Sequence, residues 1–226
     1  MKAMILAAGK GERMRPLTLT TPKPLLTAGG KPLIAHHLDN LRRAGFRDVV
    51  INHAWLGAQI EESLGDGKQF GLSISYSPEG EPLETAGGIQ RALPLLTDVG
   101  EDWFLVINGD IWCDVDLASL APPENADALL VLTDNPPHNP DGDFCLQKDG
   151  MVSAEGAQRL TFTGVSLLHR SLFENLLPGP MKLAPILHSA IVTHRVKGRH
   201  HTGQWMDIGT PERLQELDAM LSGGKA

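Results

Sequence analysis

Short apolar runs alternate with amphipathic stretches along this chain. Residues 3–6 form an unbroken apolar run that stops in a glycine loop, which predicts a short buried strand. Residues 32–44 carry Leu33, Ile34, Leu38 and Leu41 at helical spacing. Pro32 suits the first turn of that helix and Gly45 its end. Val49, Val50 and Ile51 predict a second strand over 47–52, and residues 54–64 a helix closed by Gly65. Residues 72–76 alternate as a third strand, and a turn-rich segment over 77–89 leads into a helix over 88–96. Residues 103–107 read as a buried strand ending in Asn108-Gly109-Asp110.

The second half continues in the same manner. Strands are expected over 128–132 and 160–168, a proline-rich loop over 135–143 and a hairpin over 144–152 about Asp149-Gly150. Residues 183–191 predict a helix, 193–196 an extended segment, and His200-His201 a polar loop. Residues 205–211 read as a strand end running into a last helix over 212–221, with Thr210 to cap it and Pro211 at its first position. Alternating strands and helices argue for an α/β fold: a Rossmann-like three-layer sandwich around a mostly parallel mixed sheet. No repeat and no long linker divides residues 1–226, so one domain is expected.

Composition narrows the function. Apolar residues make up 42% and charged residues 21%, and the formal net charge is −7 with no block of Lys or Arg. That balance argues against nucleic acid as a partner. Cys113 and Cys145 are too few for a disulfide framework or a zinc site. The first apolar run is too short for a signal peptide, and no run approaches the roughly 20 residues of a membrane span. A cytoplasmic protein without a membrane partner is expected.

Candidate chemistry gathers in the first 25 residues. After the first strand come Gly9 and Gly11, where the backbone can approach a ligand and present its N–H groups to an anion. Lys10, Arg13, Arg15 and Lys23 add cations, which suits a polyphosphate. The G-x-x-x-x-G-K-[ST] pattern is absent, and the dinucleotide pattern G-x-G-x-x-G fails at Met14. Asp110 and Asp207 each follow an apolar stretch. In open α/β sheets ligands lie beyond the carboxyl ends of the strands, so both could meet the loop at one edge.

The full pattern from Leu6 to Thr18, L-A-A-G-K-G-E-R-M-R-P-L-T, followed by Pro22-Lys-Pro-Leu25, resembles the sugar-1-phosphate nucleotidyltransferases. The resemblance runs from Met1 to about Leu221, with no room for the second domain some relatives carry. It implies a nucleotide-binding part over about 1–110 and a sugar-binding part over about 111–226. It also implies magnesium-dependent attack by a sugar 1-phosphate on a nucleoside triphosphate, releasing pyrophosphate.

The family's N-G-D and W-x-D-x-G-T-P motifs place Mg2+ on Asp110 and Asp207. Arg13, Lys23 and Asp110 become the catalytic candidates. Ala7, Ala8, Gly9, Gly11, Glu12, Arg13 and Lys23 are expected against the nucleotide phosphates. Glu81, Thr85, Ala86, Gly87 and Gly88 are expected beside base and ribose, although Glu84 stands where many relatives have glycine. Asn108, Asp143, Glu155 and Gly164 are expected in the sugar pocket, with Trp112 near it. Residues 52–57, 76–85, 160–164 and 182–186 resemble compact family members of bacterial cell-wall recycling. That implies UTP as donor and the α-1-phosphate of N-acetylmuramic acid as acceptor. A mannose or glucose 1-phosphate with GTP or dTTP is the alternative substrate pair. A non-catalytic sugar-nucleotide binding protein is a further alternative, which would require loss of Arg13, Lys23, Asp110 or Asp207. A monomer or small homo-oligomer is expected.

Overall fold

The computed structural model describes residues 1–156 and 158–223. The first half runs β1 (Lys2–Leu6), the short ribbon β2 (Thr27–Ala28) and β3 (Lys31–Pro32), α1 (Leu33–Arg43), β4 (Asp48–His53), α2 (Gly57–Leu64), β5 (Ser73–Pro78), α3 (Glu84–Leu96) and β6 (Trp103–Asn108). The second half runs β7 (Ile111–Cys113), β8 (Ala128–Thr133), β9 (Phe144–Leu146), β10 (Val152–Ser153), β11 (Arg159–His169), α4 (Leu183–Val192), β12 (Val196–His201), β13 (Trp205–Asp207) and α5 (Pro211–Gly223).

Nine of these strands form one mixed sheet. Its main course is β12-β8-β11-β6-β1-β4-β5, and the β9–β10 hairpin joins the start of β11. β6, β1, β4 and β5 are parallel, as are β12 and β8, whereas β11 runs antiparallel to both β6 and β8. A parallel strand covered on both faces must be apolar at successive positions. Ala3, Met4 and Ile5 of β1 are all fully buried. Ala3 and Ile5 pack with Ile34, Leu38 and Leu41 of α1 and Ile60 and Leu64 of α2. Met4 packs on the other side with Ile89 and Leu96 of α3 and Leu187 of α4. Two helical layers therefore enclose the sheet. Among the described residues no helix is long and apolar enough to cross a membrane.

A third cluster fixes the segments that carry the site. Leu214 and Leu217 of α5 pack with Ile208, Leu33, Leu26 and Met14. Met14 ends the glycine-loop turn, so the last helix anchors the first loop. Arg213 N reaches Thr210 Oγ1 at 3.4 Å, a long hydrogen bond at the expected cap.

Several expected boundaries move, among them the start of α2, which is Gly57 rather than 54. α3 begins at Glu84, four residues before the expected start at 88. The extended segment expected at 193–196 is a turn up to Arg195, and β12 runs from Val196 through His201. His200 and His201 therefore lie in a strand, not a polar loop. β12 ends the sheet and has a ladder only with β8, so its exposed positions tolerate polar residues.

Candidate active site

The parallel strands β1, β4, β5 and β6 all end at the same edge of the sheet. A cavity of about 600 Å³ opens there. Ala7, Ala8, Gly9, Lys10 and Glu12 form its loop wall, with Lys23 beside them. Glu81 and Thr85 line the opposite wall, and Asn108 and Asp110 close the end of β6. A hollow of about 340 Å³ shares Gly9, Glu12, Lys23 and Asp110 and adds Gly11 and Arg13. On the other side, a space of about 490 Å³ shares Thr85 and Asn108 and adds Asp143.

The glycine loop is held from two directions. Gly11 has φ +63°, where a residue without Cβ is favoured, and its carbonyl accepts from Met14 N at 2.9 Å and Thr18 Oγ1 at 2.7 Å. At the start of the loop, Ala7 N donates to Asn52 Oδ1 at 2.9 Å. Asn52 Nδ2 donates to Glu79 Oε1 at 2.6 Å, and Glu79 Oε2 accepts from Leu83 N at 2.8 Å. Asn52 and Glu79 are buried at the ends of β4 and β5. They tie the loop to the entrance of α3. Reading residue types alone missed both; the available signal was their place at or shortly after the ends of predicted strands.

Lys23 stands at the start of a turn between Pro22 and Pro24. Its Nζ donates to Asp110 Oδ2 at 2.8 Å, with only 11% of its side chain exposed. β7 and β13 pair antiparallel, and Ile208 N donates to the Asp110 carbonyl at 2.7 Å, which joins the two aspartate segments. Asp207 Oδ2 is paired with Arg213. His138 Nε2 lies 2.7 Å from Asp207 Oδ1, yet that buried oxygen has no well-directed hydrogen bond among the described residues. A Cβ added at Gly209 would lie 3.0 Å from Asp207 Oδ2 and 3.2 Å from Arg13 Nη1, so Arg13 and Asp207 flank the same glycine. Among the described residues no three or more His, Cys, Asp or Glu converge as a metal centre. A cation on these two carboxylates would need further oxygens from a ligand, as magnesium with phosphates commonly has.

Several of the expected site residues line none of these spaces. Ala86, Gly87 and Gly88 are buried in the first turns of α3 and line none of the three spaces. Their smallness serves packing. A Cβ on Gly87 would come 2.3 Å from the Gly179 carbonyl, and one on Gly88 would come 2.4 Å from Glu79 Oε1. Glu155 is exposed in the turn after β10, where its backbone bonds Ser153, and it lines none of the three spaces. Gly164 lies against Asn108: a Cβ there would come 2.6 Å from Asn108 Nδ2, so it leaves room for that side chain. Trp112 lines a separate hollow with Lys31 and Cys113.

The four parallel strand ends, the glycine loop and the two aspartate-bearing segments meet at this edge of the sheet. Residues 2–160 match the nucleotidyl transferase family model, and the chain belongs to that family. It is 53% identical, over the whole of both chains, to the N-acetylmuramate alpha-1-phosphate uridylyltransferase of Neisseria meningitidis serogroup B. A protein of the same name from Caulobacter vibrioides is 36% identical over 97% of this chain and 96% of its own. A mannose-1-phosphate guanyltransferase of Schizosaccharomyces pombe is 31% identical over 94% of this chain and 62% of its own. The fold is shared with a Bacillus anthracis crystal structure described as a glucose-1-phosphate thymidylyltransferase. The TM-score is 0.83 at 24% identity, covering 98% of this chain and 95% of that one.

Proposed function

We infer that this chain transfers the uridylyl group of UTP to N-acetylmuramate α-1-phosphate, giving UDP-N-acetylmuramate and pyrophosphate. The observation that carries this reading is the full-length similarity to two uridylyltransferases of that name, at 53% and 36% identity. We assign the reaction to the cytoplasm, where UTP is available.

The acceptor's phosphate oxygen attacks the α-phosphorus. A new P–O bond forms there, and the bond to the bridging oxygen breaks with its electron pair leaving on pyrophosphate. The nucleophile is already an anion, so no proton has to be removed. The barrier lies in bringing two polyanions together, and positioned cations lower it. In our assignment Lys23 meets the α-phosphate and the acceptor phosphate, and Arg13 meets the β- and γ-phosphates. Ala7, Ala8, Gly9 and Gly11 offer backbone to the phosphates, with Glu12 at their edge. Glu81 and Thr85 flank base and ribose. Asn108 donates hydrogen bonds to sugar hydroxyls or accepts them, and the Asp143 carboxylate accepts them.

The metal we assign is Mg2+, held by Asp110 and Asp207. The buried Asp207 Oδ1 without a well-directed hydrogen bond supports a cation there. Bound Mg2+ supplies charge neutralisation to oxygens of both reactants.

The test is pyrophosphate release with Mg2+ over a grid of nucleoside triphosphates and sugar 1-phosphates. The grid includes N-acetylmuramic acid, N-acetylglucosamine, glucose and mannose. Release is expected with UTP and the muramic acid phosphate. Preferred turnover of GTP or dTTP with mannose or glucose 1-phosphate would replace the substrate assignment with that pair.

A further inference from the structure

The sugar side of the site carries a cation that the transfer step does not use. The space beyond Asn108 is walled by Phe144, Phe162, Leu183 and Leu187, and Lys182 lies on it immediately before α4. Lys23 and Arg13 belong to the donor side and do not line this space.

Three other polar groups of that wall, Arg159, Asp143 and His188, are held by neighbours, whereas among the described residues the Glu84, Thr85 and Asn108 side chains are not. Arg159 donates to the Asp143 carbonyl, and the Asp143 carboxylate accepts from Phe162 N at 2.8 Å. His188 Nδ1 lies 2.9 Å from the Ala184 carbonyl, its ring 5.8 Å from that of Phe144. Glu84 sits at the junction with the donor cavity, which it also lines. Lys182 is exposed and its side chain makes no cap hydrogen bond to α4, which leaves the ammonium available to a ligand. A free ammonium beside two leucines and two phenylalanines is matched by an acceptor that bears both an anion and a small apolar group.

N-acetylmuramic acid differs from N-acetylglucosamine in one substituent, an ether-linked lactyl group at O3. That group holds a carboxylate and a methyl on the same carbon. We propose that Lys182 is the specificity-determining residue for the acceptor, pairing its ammonium with the lactyl carboxylate while the Leu183 and Leu187 side of the wall receives the methyl. This rests on the uridylyl-transfer reading above. A charge-assisted contact of this kind discriminates because its loss leaves the ligand anion without a partner.

The experiment compares kcat/KM for N-acetylmuramate 1-phosphate and N-acetylglucosamine 1-phosphate, with UTP saturating, in wild type, Lys182→Gln and Lys182→Arg. Wild type is expected to prefer the muramic acid. Lys182→Gln should cut that preference by about 10- to 100-fold, chiefly through KM, the range expected for a hydrogen bond to a charged group. Lys182→Arg should restore most of it, because charge at that position is what matters. Circular dichroism checks that each variant is folded. A wild-type preference that survives intact in Lys182→Gln overturns the role of Lys182 and leaves the reaction assignment standing. A wild type that prefers neither muramic acid nor UTP overturns the reaction assignment and this inference with it.

Discussion

Lys23 and Asp110 neutralise each other at 2.8 Å, and each is given a second partner by the proposed reaction: phosphate for the lysine, metal for the aspartate. The two are therefore separable by substitution. Lys23→Met removes a cation from the reacting phosphates, and kcat should fall by about 10²- to 10³-fold, the range seen when one stabilising donor is lost. Asp110 is 43% exposed at its side chain, so its freed carboxylate can be hydrated and the fold should hold. Steady-state rates and circular dichroism measure both halves of that statement; an unchanged rate would remove Lys23 from the site. Asp110→Ala and Asp207→Ala should each abolish Mg2+-dependent turnover. Asp207→Ala also releases Arg213 from its ion pair, so Arg213→Gln is the control for that loss. Wild-type turnover in either aspartate variant would end its assignment as a metal ligand.

Among the elements, the junction of β1 and β6 is the one the site depends on most. Gly109 N donates to the Leu6 carbonyl at 2.9 Å, and a Cβ on Gly109 would come 2.5 Å from that same oxygen. Leu6 belongs to a central strand with partners on both sides, so it cannot give way. Gly109→Ala should lose about 1–3 kcal/mol of stability, typical of overpacking, and should displace Asp110 and lower turnover with it. Thermal melting matching wild type would show that the junction is softer than this. Sequence reading found these strands because β1, β4, β6 and β8 are short apolar runs, which strands buried on both faces must be. It misjudged β12 because Lys197, Arg199 and His200 are polar, and a strand at the edge of the sheet can leave such side chains in water. Gly87 and Gly88 were read as nucleotide contacts for a related reason. Small residues signal a close approach without saying of what, and here the partners are the Gly179 carbonyl and the Glu79 carboxylate. The Asn52–Glu79 tie and the His138–Asp207 contact join residues far apart in the chain, so no local pattern announced them.

At the scale of the molecule, one buried group links the core to acid stability. His37 on α1 is 3% exposed, and its Nε2 has no hydrogen-bond partner among the described residues. Burial, reinforced by the neighbouring His36 and opposed by Asp110 and the Ile111 backbone, lowers its pKa from 6.5 to about 4. The folded chain thus keeps His37 neutral between pH 6.5 and about 4, whereas the unfolded chain binds the proton. The unfolded state then holds more protons, so stability falls as pH drops through that window. At 1.36 kcal/mol per unit, the loss attributable to His37 approaches about 3 kcal/mol near pH 4. It fades as pH rises past 6.5, where the unfolded state too becomes neutral. His37→Leu keeps an apolar side chain of similar size and removes the titration. Urea unfolding of wild type and His37→Leu at pH 7.5, 6.0 and 5.0 should give slopes of stability against pH that diverge below 6.5, the wild type falling faster. Parallel slopes would mean that His37 takes up no proton on unfolding, and that acid sensitivity resides in the carboxylates instead.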